Sequence, residues 1–316
     1  MITLSHKSKQ YLLVALKVFI LTLTFGYIYA KMNSDDSIEF ETFINTITNK
    51  GRPAIGKIIF FIGLATANWS LEILKWQTVA SNVKPMSLKT AMKQSLASLT
   101  ISLATPNRIG DYGAKAYFFE TSKRKQILLL NFFSNSTQMA ITSIFGIIGL
   151  LYLVVEFSLE LSAWKLMLFG LFVAILLILG YVFKQKELLI KGFTINKVLL
   201  YFKKLPSGVK IKTVLYSLGR YMIFSFLFYE LLLFFGAEIT LENAIFMIAS
   251  MYLLVSIIPT LFIFDVVIRG GVAVWLFSMV EIPELSVLCA VLAMWLLNFV
   301  LPSILGSFYV ISHKPK

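Results

Sequence analysis

The sequence predicts an all-α polytopic membrane protein. Of its 316 residues, 58% belong to the set AVILMFWYC and only 14% are charged, and the mean hydropathy is +0.81. A soluble domain is about half apolar and about a quarter charged, so most of this chain is expected to lie in lipid. The formal net charge is +13, and the basic residues cluster between the apolar runs. That placement favours an anionic membrane surface as the partner and not nucleic acid.

Residue counts exclude several kinds of catalytic site. The two histidines, His6 and His313, lie at the ends of the chain, so neither an HExxH zinc site nor a buried Ser-His dyad is possible. The single cysteine, Cys289, permits no intrachain disulfide. The sequence contains no P-loop and no GxGxxG motif. We therefore expect a protein that is not an enzyme and that uses no metal and no cofactor.

Six apolar runs are long enough to cross a bilayer, which takes about 20 residues. They span residues 11–30, 57–80, 127–155, 166–183, 214–235 and 285–310. The first run follows two lysines, but Ile28-Tyr29-Ala30 is not a small-x-small cleavage site. We expect an uncleaved helix over 11–30 and a cytoplasmic N-terminus.

Two further apolar regions are each interrupted, at about the same distance along the region. The predicted helical arms are 94–105 and 114–119 in the first region, and 244–258 and 272–280 in the second. Ionisable residues and proline stand at both interruptions: Pro106, Arg108 and Asp111, then Pro259, Asp265 and Arg269. Even a 15-residue helix is only about 22 Å long, which is short of a bilayer core of about 30 Å. These lengths predict two re-entrant pairs of broken helices.

The charges between the runs predict an inverted repeat within one transmembrane domain, 1–316. Lysines flank the first broken region, whereas glutamates flank the second, so the two are expected to enter from opposite sides. Repeat one is then 57–155 and repeat two is 213–312, joined by a helix over 163–183 and a basic cytoplasmic segment over 184–212. Transporters with this arrangement bind substrate near the membrane midplane. The alternative is eight or more ordinary spans with kinks.

Ionisable residues inside apolar runs are the candidates for function, because charge in a membrane usually faces a cavity or a partner. Arg108 and Arg269 are candidate ligands of a lipid headgroup, since a guanidinium binds phosphate through two parallel hydrogen bonds. Arg220 is expected either to pair or to reach the cytoplasmic surface. The candidates for lining a cavity or coupling to an ion are Glu72, Lys75, Asp111, Asn135, Gln138, Glu230 and Asp265. For each ionisable residue the alternative is a structural ion pair, and for the polar stripe Asn131–Thr142 it is contact between helices.

Three short motifs resemble one family. Leu71-Glu72-Ile73-Leu74-Lys75-Trp76 looks like the "LRALRW" stretch of the lysylphosphatidylglycerol synthase transmembrane, or flippase-like, family. The segment from Pro106 to Asp111, followed by Lys115-Ala116-Tyr117, resembles its "PGRLGE…RAY" signature. Pro259 and Ile268-Arg269-Gly270-Gly271 resemble its "P…GVREG" element, although Thr260-Leu261-Phe262 replaces the family's Pro-Gly-Gly opening. The resemblance adds Lys115 to the candidate headgroup ligands.

The resemblance implies a multi-pass inner-membrane protein that moves an anionic or zwitterionic lipid, or a lipid-linked headgroup, between leaflets. It implies a stand-alone member without the soluble aminoacyl transferase domain, so we expect no lipid aminoacylation by this polypeptide. The alternative is a membrane subunit that binds lipid, or supports a partner enzyme, without transport. Expected partners are membrane lipids, with a homo-oligomer or a partner membrane protein as further possibilities.

Overall fold

The described part of the chain is a bundle of ten α-helices. The computed structural model describes residues 53–103, 105, 108–157, 194–258 and 262–311. The first four helices are α1 (Pro53–Ala80), α2 (Leu88–Ser102), α3 (Gly110–Tyr117) and α4 (Thr121–Glu156). After them come α5 (Ile195–Lys204), α6 (Ser207–Phe234), α7 (Leu241–Ile257) and α8 (Phe262–Phe277). The last two are α9 (Glu284–Trp295) and α10 (Leu301–Ile311), which a π-helical turn over Leu296–Val300 joins into one rod.

Four of these rods are long and apolar enough to cross a membrane: Ile55–Ala80, Thr121–Glu156, Ser207–Phe234 and Glu284–Ile311. They correspond to four of the six predicted spans. The other two, 11–30 and 166–183, fall outside the described residues, as do 31–52 and 184–193. Large apolar side chains on the outer faces of these rods are exposed, among them Ile144, Leu151 and Phe308. Exposed apolar surface of that extent suits lipid.

In the first broken region, one hydroxyl group bonds both the end of α2 and the start of α3. Proline has no N–H and restricts the residue before it, so the sequence disfavours a helix that continues past position 106. The Thr105 hydroxyl donates to the Ser102 carbonyl at 2.8 Å and accepts from the Gly110 N–H at 2.8 Å. It therefore bonds the end of α2 and caps the start of α3. A Cβ atom at Gly110 would lie 2.9 Å from the Thr105 side chain, so only glycine fits there.

The second broken region differs from the sequence prediction. The sequence places Asp265 and Arg269 in the break and predicts a helical arm only over 272–280. The structure has both residues inside α8, which begins at Phe262 and runs through Gly270 and Gly271. Glycine is tolerated in membrane helices, and Gly270 faces the Leu288 side chain of α9. Gly270 therefore lets α8 approach α9, and neither glycine ends the helix.

The two broken regions share a register. Ser87 caps α2 by accepting a hydrogen bond from the Thr90 N–H, and Thr240 caps α7 in the same way from the Asn243 N–H. In the sequence, the next proline follows each cap by nineteen residues, Pro106 after Ser87 and Pro259 after Thr240. The residue after each cap is leucine, Leu88 or Leu241, and the fourth residue after each cap is alanine, Ala91 or Ala244. Both regions are thus built on one pattern.

Each half of the bundle packs its broken helix against the last rod of the other half. Arm α2 lies along α10, and arm α7 lies along α4, while the first rods α1 and α6 pack against each other. Glycine makes both close approaches. A Cβ at Gly306 on α10 would clash with Leu96 and Thr100, and one at Gly146 on α4 would clash with Ala249 and Leu253.

These contacts occupy equivalent places in the two arms. Leu96 and Ala249 are each the ninth residue of the arm, and Thr100 and Leu253 are each the thirteenth. The two interfaces therefore use the same positions of their arms.

Both ends of each broken region lie close together, and the two regions are reached from opposite ends of α4. Lys84 before α2 pairs with Glu120 after α3 at 3.8 Å, and Glu120 is the cap residue of α4. The Ser286 hydroxyl, just after the second region, donates to the Phe235 carbonyl, just before it, at 2.8 Å. The start of α7 meets the far end of α4, where the Tyr152 hydroxyl bonds Asn243 at 2.9 Å.

Candidate functional site: a charged cavity between the two breaks

A polar cavity of about 680 Å³ lies in the bundle, bordered by both broken regions. Its charged lining residues come from α1, α3, α6, α8 and the first break: Glu72, Arg108, Asp111, Lys115, Arg220, Asp265 and Arg269. Seven charged side chains in an apolar bundle are costly unless they are paired or meet a ligand. They form two clusters.

The break cluster consists of Arg108, Asp265 and Arg269. Arg269 Nη2 donates to both carboxylate oxygens of Asp265, at 3.3 and 3.4 Å, one helical turn apart on α8. This confirms the pairing that the four-residue spacing predicts. Arg108, from the other broken region, approaches the same carboxylate at 3.9 Å. One aspartate thus joins the two breaks.

Arg108 keeps its hydrogen-bonding groups available. Its guanidinium lies over the Phe299 ring at 4.0 Å and is 36% exposed to the cavity. It makes no side-chain hydrogen bond to a described residue, since Asp265 is beyond hydrogen-bond length. Its backbone φ is 56°, in the left-handed region that costs a residue with a Cβ atom free energy. The side chain lines the cavity. The Nε of Arg269 is buried and lacks a described acceptor as well.

The inner cluster consists of Glu72, Lys75, Asp111, Lys115 and Arg220. The Glu72 carboxylate pairs with Lys75 at 2.9 Å, with Lys115 at 3.6 Å and, at short range, with Arg220. One carboxylate therefore connects α1, α3 and α6. Arg220 Nε also donates to Asn68 at 3.2 Å, so Nε and Nη1 are engaged, and no described residue accepts from its Nη2.

Lys115 is more enclosed than a headgroup ligand was expected to be. Its side chain is 3% exposed, and the ammonium group contacts Glu72, Asp111 at 3.3 Å and the side-chain Oδ1 of Asn131 at 3.1 Å. It also lies 4.6 Å from the centre of the Trp76 ring. A lysine has three N–H donors, and here three acceptors match them. Its geometry is that of a positioning residue that holds α3 against α1 and α4.

The polar stripe of α4 divides between two roles. Asn135, Gln138 and Thr142 line the cavity. Asn131 is fully buried and bonds Asp111 at 2.7 Å, which is contact between helices. Gln138 takes part in both, because it also accepts from Lys75 at 3.5 Å. The two alternatives for this stripe are therefore each correct for part of it.

Two of the predicted cavity residues lie elsewhere. Glu230 is not among the lining residues and instead pairs with Lys57 at 2.7 Å. The reason is its position near the end of α6, where it meets the start of the antiparallel α1. Lys75 is fully buried behind Glu72 and reaches the cavity only through that carboxylate and Gln138. The other eight predicted site residues line the cavity.

Sequence reasoning named Arg220 without placing it in the site, and it missed Asn298. Arg220 points inward to Glu72, so its expected alternative of reaching the cytoplasmic surface is wrong; a lone arginine within an apolar run was the available signal. Asn298 lies in the π-helical turn, accepts from Asn68 at 2.9 Å, and offers its backbone carbonyl to Trp69 at 3.1 Å. Such turns free backbone groups for other partners, and no sequence motif marked this one.

No protein-family model, curated protein or solved structure matches this chain. The resemblance to the flippase-like family rests on its three short motifs and stays a prediction.

Proposed function

We propose that this protein moves an anionic or zwitterionic lipid, or a lipid-linked headgroup, between the leaflets of the cell (inner) membrane. The observation that carries the proposal is the pairing of Arg108 with Asp265, which brings both helix breaks to one charged cavity inside an apolar bundle. Arg108 and Arg269 are the headgroup ligands, because both retain N–H donors with no acceptor among the described residues. The acyl chains stay in lipid while the headgroup occupies the cavity.

Several contacts support an inverted repeat with two re-entrant broken helices. The Lys84–Glu120 and Ser286–Phe235 contacts hold the ends of each region together, as entry and return on one side require. The Glu120 and Tyr152 ends of α4, the longest rod, serve different regions. The arms of 15 and 17 residues are about 22 and 25 Å long, too short to cross the core singly.

The proposed orientation places the N-terminus and the basic residues around 84–93, 115–125 and 184–212 in the cytoplasm. The excess of lysine and arginine there follows the positive-inside rule. Single cysteines introduced at positions 36, 160 and 197 of a Cys289→Ser protein test it with a membrane-impermeant thiol reagent. We expect labelling at 36 and 160 only. External labelling at 197 would reject the orientation and the inverted repeat with it.

The decisive experiment is lipid translocation in liposomes. Purified protein is reconstituted with fluorescent phosphatidylglycerol, and dithionite quenching measures how much probe changes leaflet. Arg108→Ala should slow translocation by at least about tenfold, since a charge-assisted hydrogen bond contributes about 1.5–3 kcal/mol. Arg108→Lys keeps the charge but loses the planar fork, so it should restore only part of the rate.

Arg124→Ala is the matched control, because Arg124 bonds the Phe119 carbonyl and does not line the cavity. It should translocate at the wild-type rate. Wild-type activity in Arg108→Ala, or loss of its fold, would remove Arg108 from the site. Probe binding by the wild-type protein without translocation would favour the lipid-binding scaffold, a role that the cross-linked inner cluster also suits.

A further inference from the structure

We propose that the headgroup handled by this cavity carries two separate anionic groups, such as a diphosphate or two bridged phosphodiesters. This inference rests on the proposed function and narrows its substrate class. The starting observation is the formal charge of the two clusters. In the break cluster two arginines share one carboxylate, and in the inner cluster three cations share two carboxylates. Each cluster has one surplus positive charge.

Both clusters border the same cavity. In the inner cluster, the fully buried Lys75 lies outside the lining and pairs with Glu72 at 2.9 Å, and Lys115 pairs with Asp111 at 3.3 Å. Each of these two pairs is balanced, so the surplus charge falls to Arg220, which lines the cavity as Arg108 and Arg269 do. A buried charge without a counter-charge is strongly disfavoured in an apolar bundle. A ligand with a single anionic group would neutralise one cluster and leave the other with its surplus. A ligand with two would neutralise both.

Donors are available in both clusters. In the break cluster, the guanidinium of Arg108 makes no hydrogen bond to a described residue, and Arg269 Nε is buried without a described acceptor. In the inner cluster, Arg220 uses Nε for Asn68 and Nη1 for Glu72. Its side chain borders the cavity, and its Nη2 has no acceptor among the described residues. Two arginine positions, one from each cluster, can therefore each meet a phosphate oxygen.

The adjoining surface suits a polar headgroup of this size. Ser95, Ser102, Asn135 and Gln138 line the same space, and the Ser95 hydroxyl is buried with no described partner. The Ser95 hydroxyl and the amide groups of Asn135 and Gln138 can donate to ester and phosphate oxygens without adding charge, whereas the Ser102 hydroxyl already donates to the Leu99 carbonyl. The recognition chemistry is therefore two phosphates within one cavity, held by arginine and flanked by hydroxyl and amide groups.

Competition binding tests the inference. Fluorescent phosphatidylglycerol, which has one phosphodiester, is bound to the purified full-length protein in detergent. It is then displaced by unlabelled phosphatidylglycerol, by cardiolipin with two phosphodiesters, or by a polyprenyl diphosphate beside its monophosphate. We expect a two-phosphate lipid to displace the probe at a concentration about tenfold below that of its one-phosphate counterpart, because it gains a second charge-assisted contact. Comparing polyprenyl diphosphate with its monophosphate, and cardiolipin with phosphatidylglycerol, shows which distance between two phosphates the cavity accepts.

Variants assign the two positions. Arg220→Gln removes the surplus charge of the inner cluster yet leaves Glu72 paired with Lys75 and Lys115, so the carboxylate is not orphaned. It should bring the concentration ratio of one-phosphate to two-phosphate lipid close to one, and Arg220→Lys should restore the ratio. Arg269→Gln should lower the same ratio from the other cluster. Lys57→Gln removes a lysine of the pair outside the cavity and should leave the ratio at the wild-type value.

The outcomes separate this inference from the proposed function. Equal displacement by one- and two-phosphate lipids would overturn the two-anion headgroup while leaving phosphatidylglycerol binding and translocation intact. An unchanged ratio in both Arg220→Gln and Arg269→Gln would overturn it as well. Failure of the wild-type protein to bind any phospholipid would reject the proposed function together with it.

Discussion

The two broken regions share a frame but differ on the C-terminal side of the proline. Each begins with a hydroxyl cap, places its ninth and thirteenth residues against a glycine of the opposite half, and reaches proline nineteen residues after the cap. After Pro106 the chain makes a left-handed turn at Arg108 and forms the short polar α3. After Pro259 it enters α8, which is sixteen residues long and mostly apolar.

That difference separates two tasks. The first region supplies a strained, partly exposed arginine and a helix whose charges are each held by several partners. The second supplies one carboxylate that serves two arginines. The first region thus carries Arg108, a cation whose donors are available. The second region, built on a similar frame, carries Asp265, the carboxylate that pairs with it. Three kinds of substitution, with successively smaller expected effects, test whether the two regions differ in this way.

Asp265→Asn should cause the largest loss of stability. It leaves Arg269 and Arg108 without their shared carboxylate, and removing one partner of a buried ion pair costs about 3–5 kcal/mol. The matched change in the first region is Asp111→Asn, which should cost about 1 kcal/mol. The loss of stability is smaller because Lys115 still contacts Glu72 and Asn131 after this change. The free energy of unfolding in detergent measures both.

The double variant Asp265→Asn, Arg269→Gln checks the cause. It should recover most of the lost stability, since Arg108 is partly exposed, but it should not recover lipid translocation. Recovery of both would make the pair purely structural. Equal losses for Asp265→Asn and Asp111→Asn would mean that the two regions hold their charges equally well and that the division of tasks between them is wrong.

The glycine contacts should give the next largest effect, and the same one in both halves. Gly306→Ala and Gly146→Ala would each place a Cβ atom against the opposite arm, and overpacking of this kind costs about 1–3 kcal/mol. Gly271→Ala on α8 is the control, because nothing lies within 4 Å of the added atom. It should raise stability slightly, as alanine is a better helix former. Thermal unfolding compares the three, and a loss in only one half would break the equivalence of the interfaces.

The helix caps should give the smallest effect. Ser87→Ala and Thr240→Ala each remove a hydroxyl that accepts a free N–H in the first turn of an arm, from Thr90 or from Asn243, at a cost of about 1 kcal/mol. Ser207 offers a control, because it is exposed and its hydroxyl bonds no described residue. Ser207→Ala should leave the unfolding temperature unchanged. Clearly unequal losses at the two caps would indicate that one arm is held by its packing alone.

Much of the fold can be predicted from sequence, although less of the site can. Composition and run length predicted the four described membrane-length rods, since helices of about 20 apolar residues are what lipid permits. The arms predicted before the prolines end at 105 and 258, whereas α2 ends at Ser102 and α7 at Ile257, so the second end is predicted to one residue and the first to three. The extent of α8 was not predictable from Gly270 and Gly271. A pair of glycines can either end a helix or allow it to pack closely against a neighbour, and only the contact of Gly270 with Leu288 shows that the second case applies.

Apolar runs with embedded ionisable residues already dictate that charges lie inside an apolar bundle, whereas helix packing selects which charges meet. Arg220 and Glu72 are 148 residues apart, and Lys57 and Glu230 are 173 apart. No local spacing relates such residues, since their meeting depends on how each helix is rotated and packed. Pairs within one helix turn, such as Asp265 with Arg269, were predictable because helical geometry alone brings them together. The cavity and its two clusters depend instead on contacts between residues far apart in the sequence, such as that of Asp265 with Arg108.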